Sequence, residues 1–318
     1  MAYTMDVTLE QIEQAAARIS GYVHCTPVLG SALINRAAGC EIRFKCENLQ
    51  QTGAFKARGA HNAVLSLSPG QRRGGVATHS SGNHAAALAL AASRVGISAN
   101  IVMPDNAPAV KVDAVRAYGG QITFCEATQA AREEALRVLC DRTGACFIPP
   151  FDHPDVIAGQ GTVALEIAAQ LGVPPDVLVT PVGGGGLLAG CAIAGRAMMP
   201  DTQIIGAEPA GADDARRSLH SGLWQPQPAP DTVADGLRTS LGKLNFAIIR
   251  RKVDDILCAE DAAIIEAMRL VWTRMKLVIE PSAAVGLAAV LAQPALFAGK
   301  RVVIVLSGGN VDLDHLPW

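Results

Sequence analysis

One lysine stands apart in this sequence. Lys56 sits in Gln51-Thr52-Gly53-Ala54-Phe55-Lys56-Ala57-Arg58-Gly59-Ala60, among small and apolar residues, with no carboxylate within four positions. An amine that is poorly solvated and unpaired holds its proton weakly and becomes a better nucleophile or base. The competing reading is an ordinary surface lysine. A second feature is Gly183-Gly184-Gly185-Gly186, which ends an apolar run and opens a helical pattern at Leu187. Backbone N–H groups at such a helix start, together with the helix dipole, favour a phosphate. Four successive glycines lose more chain entropy than a tight turn alone demands. A Schiff-base lysine and a phosphate cup are the pair that pyridoxal phosphate requires.

The same glycines carry a rival reading. Gly184-x-Gly186-x-x-Ala189 matches GxGxxA after a strand, and Glu208 ends the next strand about twenty residues on, the context of a dinucleotide fingerprint. On that window alone the chain reads as a nicotinamide-dependent dehydrogenase.

Alternating strands and helices position these residues. Thr8 and Gln11 fit a capping box before helical spacing over 9–19. A strand is expected over 41–47. Strands at 76–78, 99–103 and 121–125 alternate with helices at 83–95, 109–118 and 129–142. Longer elements follow: helices at 156–171, 187–198, 262–274 and 282–291, with strands at 177–182, 203–207 and 301–306. The strand at 177–182 is apolar without alternation, as expected for a strand covered on both faces. Three prolines in nine residues make 223–231 a surface loop. The pattern predicts open, mainly parallel α/β sheets, with ligands at the carboxyl ends of strands. Three Gly/Ser-rich turns fall there: His79-Ser80-Ser81-Gly82-Asn83-His84, the four glycines, and Ser307-Gly308-Gly309-Asn310.

Composition narrows the class. Of 318 residues, 50% are hydrophobic and 18% charged, which excludes a disordered chain. The net charge of −2, with no run of Lys or Arg, argues against a nucleic-acid partner. No apolar stretch reaches the ~18–20 residues of a membrane span, and the N-terminal window has no leader pattern. Eight cysteines form no CxxC pair and read as free thiols of a reducing, cytoplasmic compartment. Only seven lysines compete for the Schiff-base role, and Lys56 alone has the right neighbours.

Seven windows in order (GAFKARGA, SSGNH, GGGGL, EPAGADD, ADGLRTSLG, RMKLVIEPSAA and SGGN) resemble the fold-type II pyridoxal-phosphate enzymes, in particular the serine racemases, serine/threonine dehydratases and 3-hydroxyaspartate dehydratases. The resemblance runs from about Ile19 to the C-terminus. It implies a tryptophan synthase beta-like fold, with a small domain at 75–145 inserted in a large one formed by 1–74 and 146–318. It implies that Lys56 carries the cofactor and later removes the Cα proton. Phe55 would pack on the ring, Asn83 would bind its phenolic oxygen, and Ser307 would meet its nitrogen. Gly183, Gly184, Gly185, Gly186 and Leu187 would hold the phosphate, with Gly236 beside the ring. Ser80, Ser81, Gly82 and His84 would cradle the substrate carboxylate, and Ser81 is the second base in the racemases. Arg132 matches an arginine that reaches substrate; its bland reading is a solvated helix charge. Glu208, the Ala212 carbonyl and Asp214 resemble a divalent-cation site of oxygen ligands, suited to Mg²⁺ or Ca²⁺.

The implied activity is elimination from an L-β-hydroxy amino acid of the serine, threonine, phenylserine or 3-hydroxyaspartate type, giving a 2-oxo acid and ammonia. The alternative is racemisation between Lys56 and Ser81. A homodimer is also implied. Two departures bear on substrate. Ala54 replaces a frequent Ser, and Ala85-Ala86 replaces a frequent Gly-Gln, which would leave an apolar gap for a bulkier β-substituent. Arg132 points the other way, toward a β-carboxylate.

Overall fold

The computed structural model describes residues 7–318; the first six, part of the N-terminal window read above, lie outside them. The described strands, in chain order, are β1 (Val28–Gly30), β2 (Glu41–Cys46), β3 (Val76–His79), β4 (Ala99–Pro104), β5 (Gln121–Cys125), β6 (Cys146–Phe147), β7 (Val177–Pro181), β8 (Gln203–Pro209), β9 (Asp255–Ala259) and β10 (Arg301–Leu306). They form a six-stranded sheet of order β1-β2-β10-β7-β8-β9 and a four-stranded sheet of order β5-β4-β3-β6. Only β1 pairs antiparallel; the other pairs are parallel.

The period-2 geometry of a strand explains why β7 is buried throughout and apolar but for Thr180. Val177 and Val179 face Ala284 and Leu287 of the Pro281–Ala292 helix. Leu178 faces the other way, onto Leu188 and Ile193 of the Gly186–Met198 helix. The smaller sheet repeats this arrangement. Val76, Ile101 and Met103 pack with Leu88 of the Asn83–Arg94 helix. Ala77 and Val102 pack with Leu136 and Leu139 of the Gln129–Thr143 helix.

The mainly parallel α/β architecture read from the sequence is present, and so is the Thr8/Gln11 capping box. Among the elements with no counterpart in that reading, three show why. The Lys56–Ser66 helix buries Arg58, His61 and Asn62, so its inward face is partly polar and shows no apolar period. β9 is a five-residue strand behind a charged stretch, and β6 has two residues. β6 carries the smaller sheet past residue 145, to Phe147. No described helix is long and apolar enough to cross a membrane, and all eight cysteines are free thiols.

The Lys56–Ser66 helix is pinned by a buried ion cluster. Arg58, 0% exposed, donates to Glu47 at 2.8 Å and to Glu166 at 2.6 Å, and Glu166 also accepts from Lys45 at 2.5 Å. Glu47 follows β2, and Glu166 lies on the Pro154–Gln170 helix. Removing one member of such a cluster strands a buried charge. Arg58→Ala is therefore expected to lower the unfolding free energy by about 3–5 kcal/mol, read from urea denaturation. An unchanged midpoint would show that the cluster does not hold the helix.

Candidate active site

Lys56 begins its helix, half-buried, and its Nζ donates to the Pro150 carbonyl at 2.6 Å. The amine lies 5.2 Å from the centroid of the Phe55 ring and 5.9 Å from that of Phe151. No carboxylate forms an ion pair with it among the described residues. Burial lowers its pKa to about 8, against the opposing pull of Glu280.

The turn before Lys56 is stitched to the turn after β10. Ala54 bridges Gly308, Phe55 N–H donates to the Ser307 carbonyl at 3.0 Å, and Gly309 N–H donates to the Gly53 carbonyl at 2.9 Å. Asn310 Nδ2 donates to the Thr52 carbonyl at 2.7 Å. A Cβ at Gly53 would lie 2.6 Å from Asn310 Oδ1 in a positive-φ backbone, so this corner needs glycine twice over. Two segments some 250 positions apart in sequence thereby place Ser307 beside Lys56.

The glycine run lies at the end of β7. Gly185, at φ +88°, caps the Gly186–Met198 helix, and no side chain bonds that end. The first N–H groups of a helix have no intrahelical partners, so this terminus presents free donors. The loop is braced from behind. Gly184's carbonyl accepts from Asn245 Nδ2 at 2.6 Å and from Gly242 N–H at 3.1 Å. Its front is shared with Phe151, whose ring occupies the space a Cβ on Gly184 would need. Phe151 thus touches the glycine loop and flanks the Lys56 amine.

Asn83 opens the helix after the Ser80-Ser81-Gly82 turn. Its Nδ2 donates to Glu280 Oε1 at 2.9 Å, and its Oδ1 accepts from Asn310 Nδ2 at 2.9 Å. A Cβ built on Gly82 meets nothing within 4 Å, so the turn faces open space. Gly236 N–H donates to Ser282 Oγ at 3.0 Å. Next to it, Asp235 pairs with Lys111, bridging the two sheets' helices and loops. Lys56, Phe55, Asn83, Ser307 and the glycine loop are therefore linked through shared contacts. Ser80, Ser81 and Gly82 border the same opening.

Three expectations change in detail. The His84 ring is buried, with Nε2 on the Ile148 carbonyl at 3.0 Å, and burial and then Lys56 lower its pKa to about 3. Its Nδ1 is buried without a hydrogen-bond partner. Ala86 opens no gap, because it is 6% exposed within the core of the smaller sheet. Arg132 bonds the Thr128 carbonyl of its own helix turn at 3.3 Å. Its charge nonetheless reaches His79, whose pKa is lowered by burial first and by Arg132 second.

Glu208 and Asp214 lie apart from this opening, both almost fully buried. Glu208 accepts from Arg216 N–H at 3.0 Å, and Asp214 accepts from Leu241 N–H at 2.7 Å. Burial raises the pKa of both, Asp214 to about 6. Among the described residues no group of three His, Cys, Asp or Glu side chains gathers to hold a metal; the expected third ligand, Ala212, could offer only its carbonyl. Burial also argues against the dinucleotide reading, because Glu208 is 1% exposed and cannot meet a ribose.

Residues 19–308 match the family described as pyridoxal-phosphate dependent enzymes. The chain belongs to that family. It is 47% identical over 98% of both chains to a β-hydroxyaspartate dehydratase of Paracoccus denitrificans. It is 48% identical to a serine racemase of Arabidopsis thaliana, over 99% of this chain and 96% of the other. The crystal structure of serine racemase from Dictyostelium discoideum superposes with a TM-score of 0.92 at 47% identity, covering 96% of this chain and 99% of that one. The fold is thus of the fold-type II kind, and the protein is an enzyme.

The residues present fit the cofactor. An uncapped helix terminus suits a phosphate, a partly desolvated amine suits an aldehyde, and Asn83 and Ser307 supply polar groups between them. Glu280, Asn310, Phe151 and Asn245 went unread in the sequence as site residues. Glu280 lies inside a window that carries the resemblance, but a lone Glu before a proline gives no sign of being buried. A Cβ on Gly184 must displace Phe151 or the loop, so Gly184→Ala is expected to weaken cofactor binding about tenfold or more. Titration of the apo-protein with pyridoxal phosphate, followed by visible absorbance, checks this; wild-type affinity would place the phosphate elsewhere.

Proposed function

We propose that the protein is a dehydratase of L-β-hydroxy amino acids that releases a 2-oxo acid and ammonia. The observation that carries this reading is the Lys56 amine, held without a carboxylate partner between Phe55 and Phe151 and beside the glycine cup. When bound, pyridoxal phosphate supplies an aldehyde for the substrate amine and a conjugated ring that takes up negative charge from Cα. Lys56 Nζ, whose proton is held more weakly because the amine is buried, takes the Cα proton. The backbone of Ser80, Ser81, Gly82 and His84, at the start of the Asn83–Arg94 helix, holds the substrate carboxylate with the help of the helix dipole. Gly183, Gly184, Gly185, Gly186 and Leu187 hold the phosphate, Phe55 packs on the ring and Gly236 borders it. Asn83 binds the phenolic oxygen. Ser307 meets the ring nitrogen with a hydroxyl, which does not hold a proton there as a carboxylate would, and so favours prompt loss of the β-hydroxyl over a long-lived carbanion. The free enamine product hydrolyses in water.

Within this class, 3-hydroxyaspartate is the favoured substrate. Arg132 supplies positive charge on the His79–Ser80 side of the opening, Ala86 opens no apolar gap, and the Paracoccus relative is named for that substrate. The domain arrangement is nested, following the two sheets, and closure across the Lys111–Asp235 bridge excludes water. Racemisation is the second reading, favoured by the serine racemase relatives and by Ser81 at the open turn. Ammonia release from L-serine, L-threonine, phenylserine and 3-hydroxyaspartate tests the assignment. 3-Hydroxyaspartate should lead, and Arg132→Ala should raise its KM about tenfold while leaving serine less affected. No ammonia from any of the four would overturn the dehydratase reading. D-serine formed from L-serine, and lost in Ser81→Ala, would favour the racemase.

A Mg²⁺ or Ca²⁺ ion on Glu208, the Ala212 carbonyl and Asp214 is part of the same reading. Asp214 holds Leu241, and the adjoining Gly242 holds Gly184, so an ion there would brace the phosphate loop. A chelator should lower the melting temperature of the wild type and leave Glu208→Gln unmoved; equal shifts would remove the site. The reading is completed by a homodimer and a cytoplasmic setting. Exposed Leu29 on edge strand β1 and exposed Leu33 on the helix after it support the first, and eight free thiols the second.

A further inference from the structure

Glu280 precedes the Pro281–Ala292 helix and is 4% exposed. Its carboxyl is wedged against the Ser307–Asn310 turn: a Cβ at Gly308 would lie 2.6 Å from Oε1. Among the described residues no cation forms an ion pair with it. Its side-chain partner is the Asn83 amide, at 2.9 Å. That amide is held at both ends. Asn310 Nδ2 gives one hydrogen to the Thr52 carbonyl at 2.7 Å and lies 2.9 Å from Asn83 Oδ1. Asn83 therefore has its oxygen fixed toward Asn310 and its nitrogen toward Glu280. An amide nitrogen carries two hydrogens. Glu280 takes one, and the other remains for a ligand.

We propose that Glu280 is a positioning residue that works as an uncharged acid, turning the Asn83 nitrogen toward the cofactor's phenolic oxygen and sparing Lys56 an anionic neighbour. The proposal rests on the assignment of Asn83 to that oxygen in the reading above. The surroundings agree with an uncharged group. Burial pushes the Glu280 pKa up to about 8, and Asp235 adds to this. Lys111, the Asn83 amide and the Asn310 backbone oppose it. Lys56 is the remaining charged group facing it, and a charged Glu280 would raise that amine's proton affinity. A glutamate that ionised at ordinary pH would tie up the proton acceptor the reaction needs. An uncharged one orients Asn83 without doing so.

Two variants test this, with cofactor affinity and absorbance as readouts; neither needs a substrate. Apo-protein is titrated with pyridoxal phosphate, and the visible absorbance of the loaded protein is followed on either side of pH about 8. Glu280→Gln, uncharged and of similar shape, should keep cofactor affinity within about twofold and abolish the absorbance change that the wild type shows as Glu280 ionises. Glu280→Ala should weaken cofactor binding about tenfold, the loss of one buried hydrogen-bond partner. Gln binding as weakly as Ala would show that a carboxylate charge is required. Ala retaining wild-type affinity and spectrum would show that Glu280 positions nothing. Either result overturns the proposal. A failure of ammonia release with these results intact would fault the substrate reading alone.

Discussion

The arrangement depends on a guanidinium that sees no water. Arg58, two residues past Lys56, is gripped by Glu47 from the end of β2 and by Glu166 from the Pro154–Gln170 helix. A buried charge tolerates little displacement, because each lost partner leaves an uncompensated ion in a poorly polarisable surrounding. The first turn of the Lys56–Ser66 helix is fixed in consequence, and with it the direction of the lysine. Close packing extends the constraint: Gly59 and Gly159 meet backbone to backbone, with no room for a side chain on either.

Around that fixed amine the protein removes charge instead of adding it. Lys56 is drawn toward neutrality by burial, and His84 is held neutral beneath the site by burial and by Lys56 itself. The nearest carboxyl, Glu280, bonds an amide rather than a cation. Groups that would be ionic in water are kept as bases, acids and dipoles, the condition in which proton transfer at Cα is least opposed by solvation. Ion pairs that frame the site stand off from the amine: behind the helix at Arg58, and across the mouth at Lys111–Asp235. The first serves position, and the second joins an element of the smaller sheet to the loop beside Gly236.

Legibility from sequence followed the strength of local signals. Runs such as Val177 to Pro181 announce a doubly covered strand because they are apolar but for Thr180 and show no alternation. The four glycines announce a special turn because nothing else repays their entropy. Lys56 was legible because lysines are scarce here and its neighbours are small. The Lys56–Ser66 helix was not, since its inward face carries His61 and also Arg58 and Asn62, which meet partners far away in sequence. The surroundings of the Ala86 and His84 side chains were illegible for a related reason. A motif states which residues adjoin in sequence, and only the packed structure says which way a side chain turns: His84 to the Ile148 carbonyl, Ala86 into the core.

The sequence by itself determined the fold class and, through seven ordered windows, the family, and it singled out the lysine and the glycine run as candidate site residues. Each of these is written in local composition or in order along the chain. Tertiary structure alone decided what surrounds the amine. The stitch between Gly53 and Gly309, the ring of Phe151 on Gly184, the clamp of Asn245 behind it and the Glu280–Asn83–Asn310 relay join segments that are not neighbours in sequence. Desolvation, and with it the protonation of Lys56 and Glu280, depends on every atom that excludes water, and that is a property of the packed molecule and not of any window of residues.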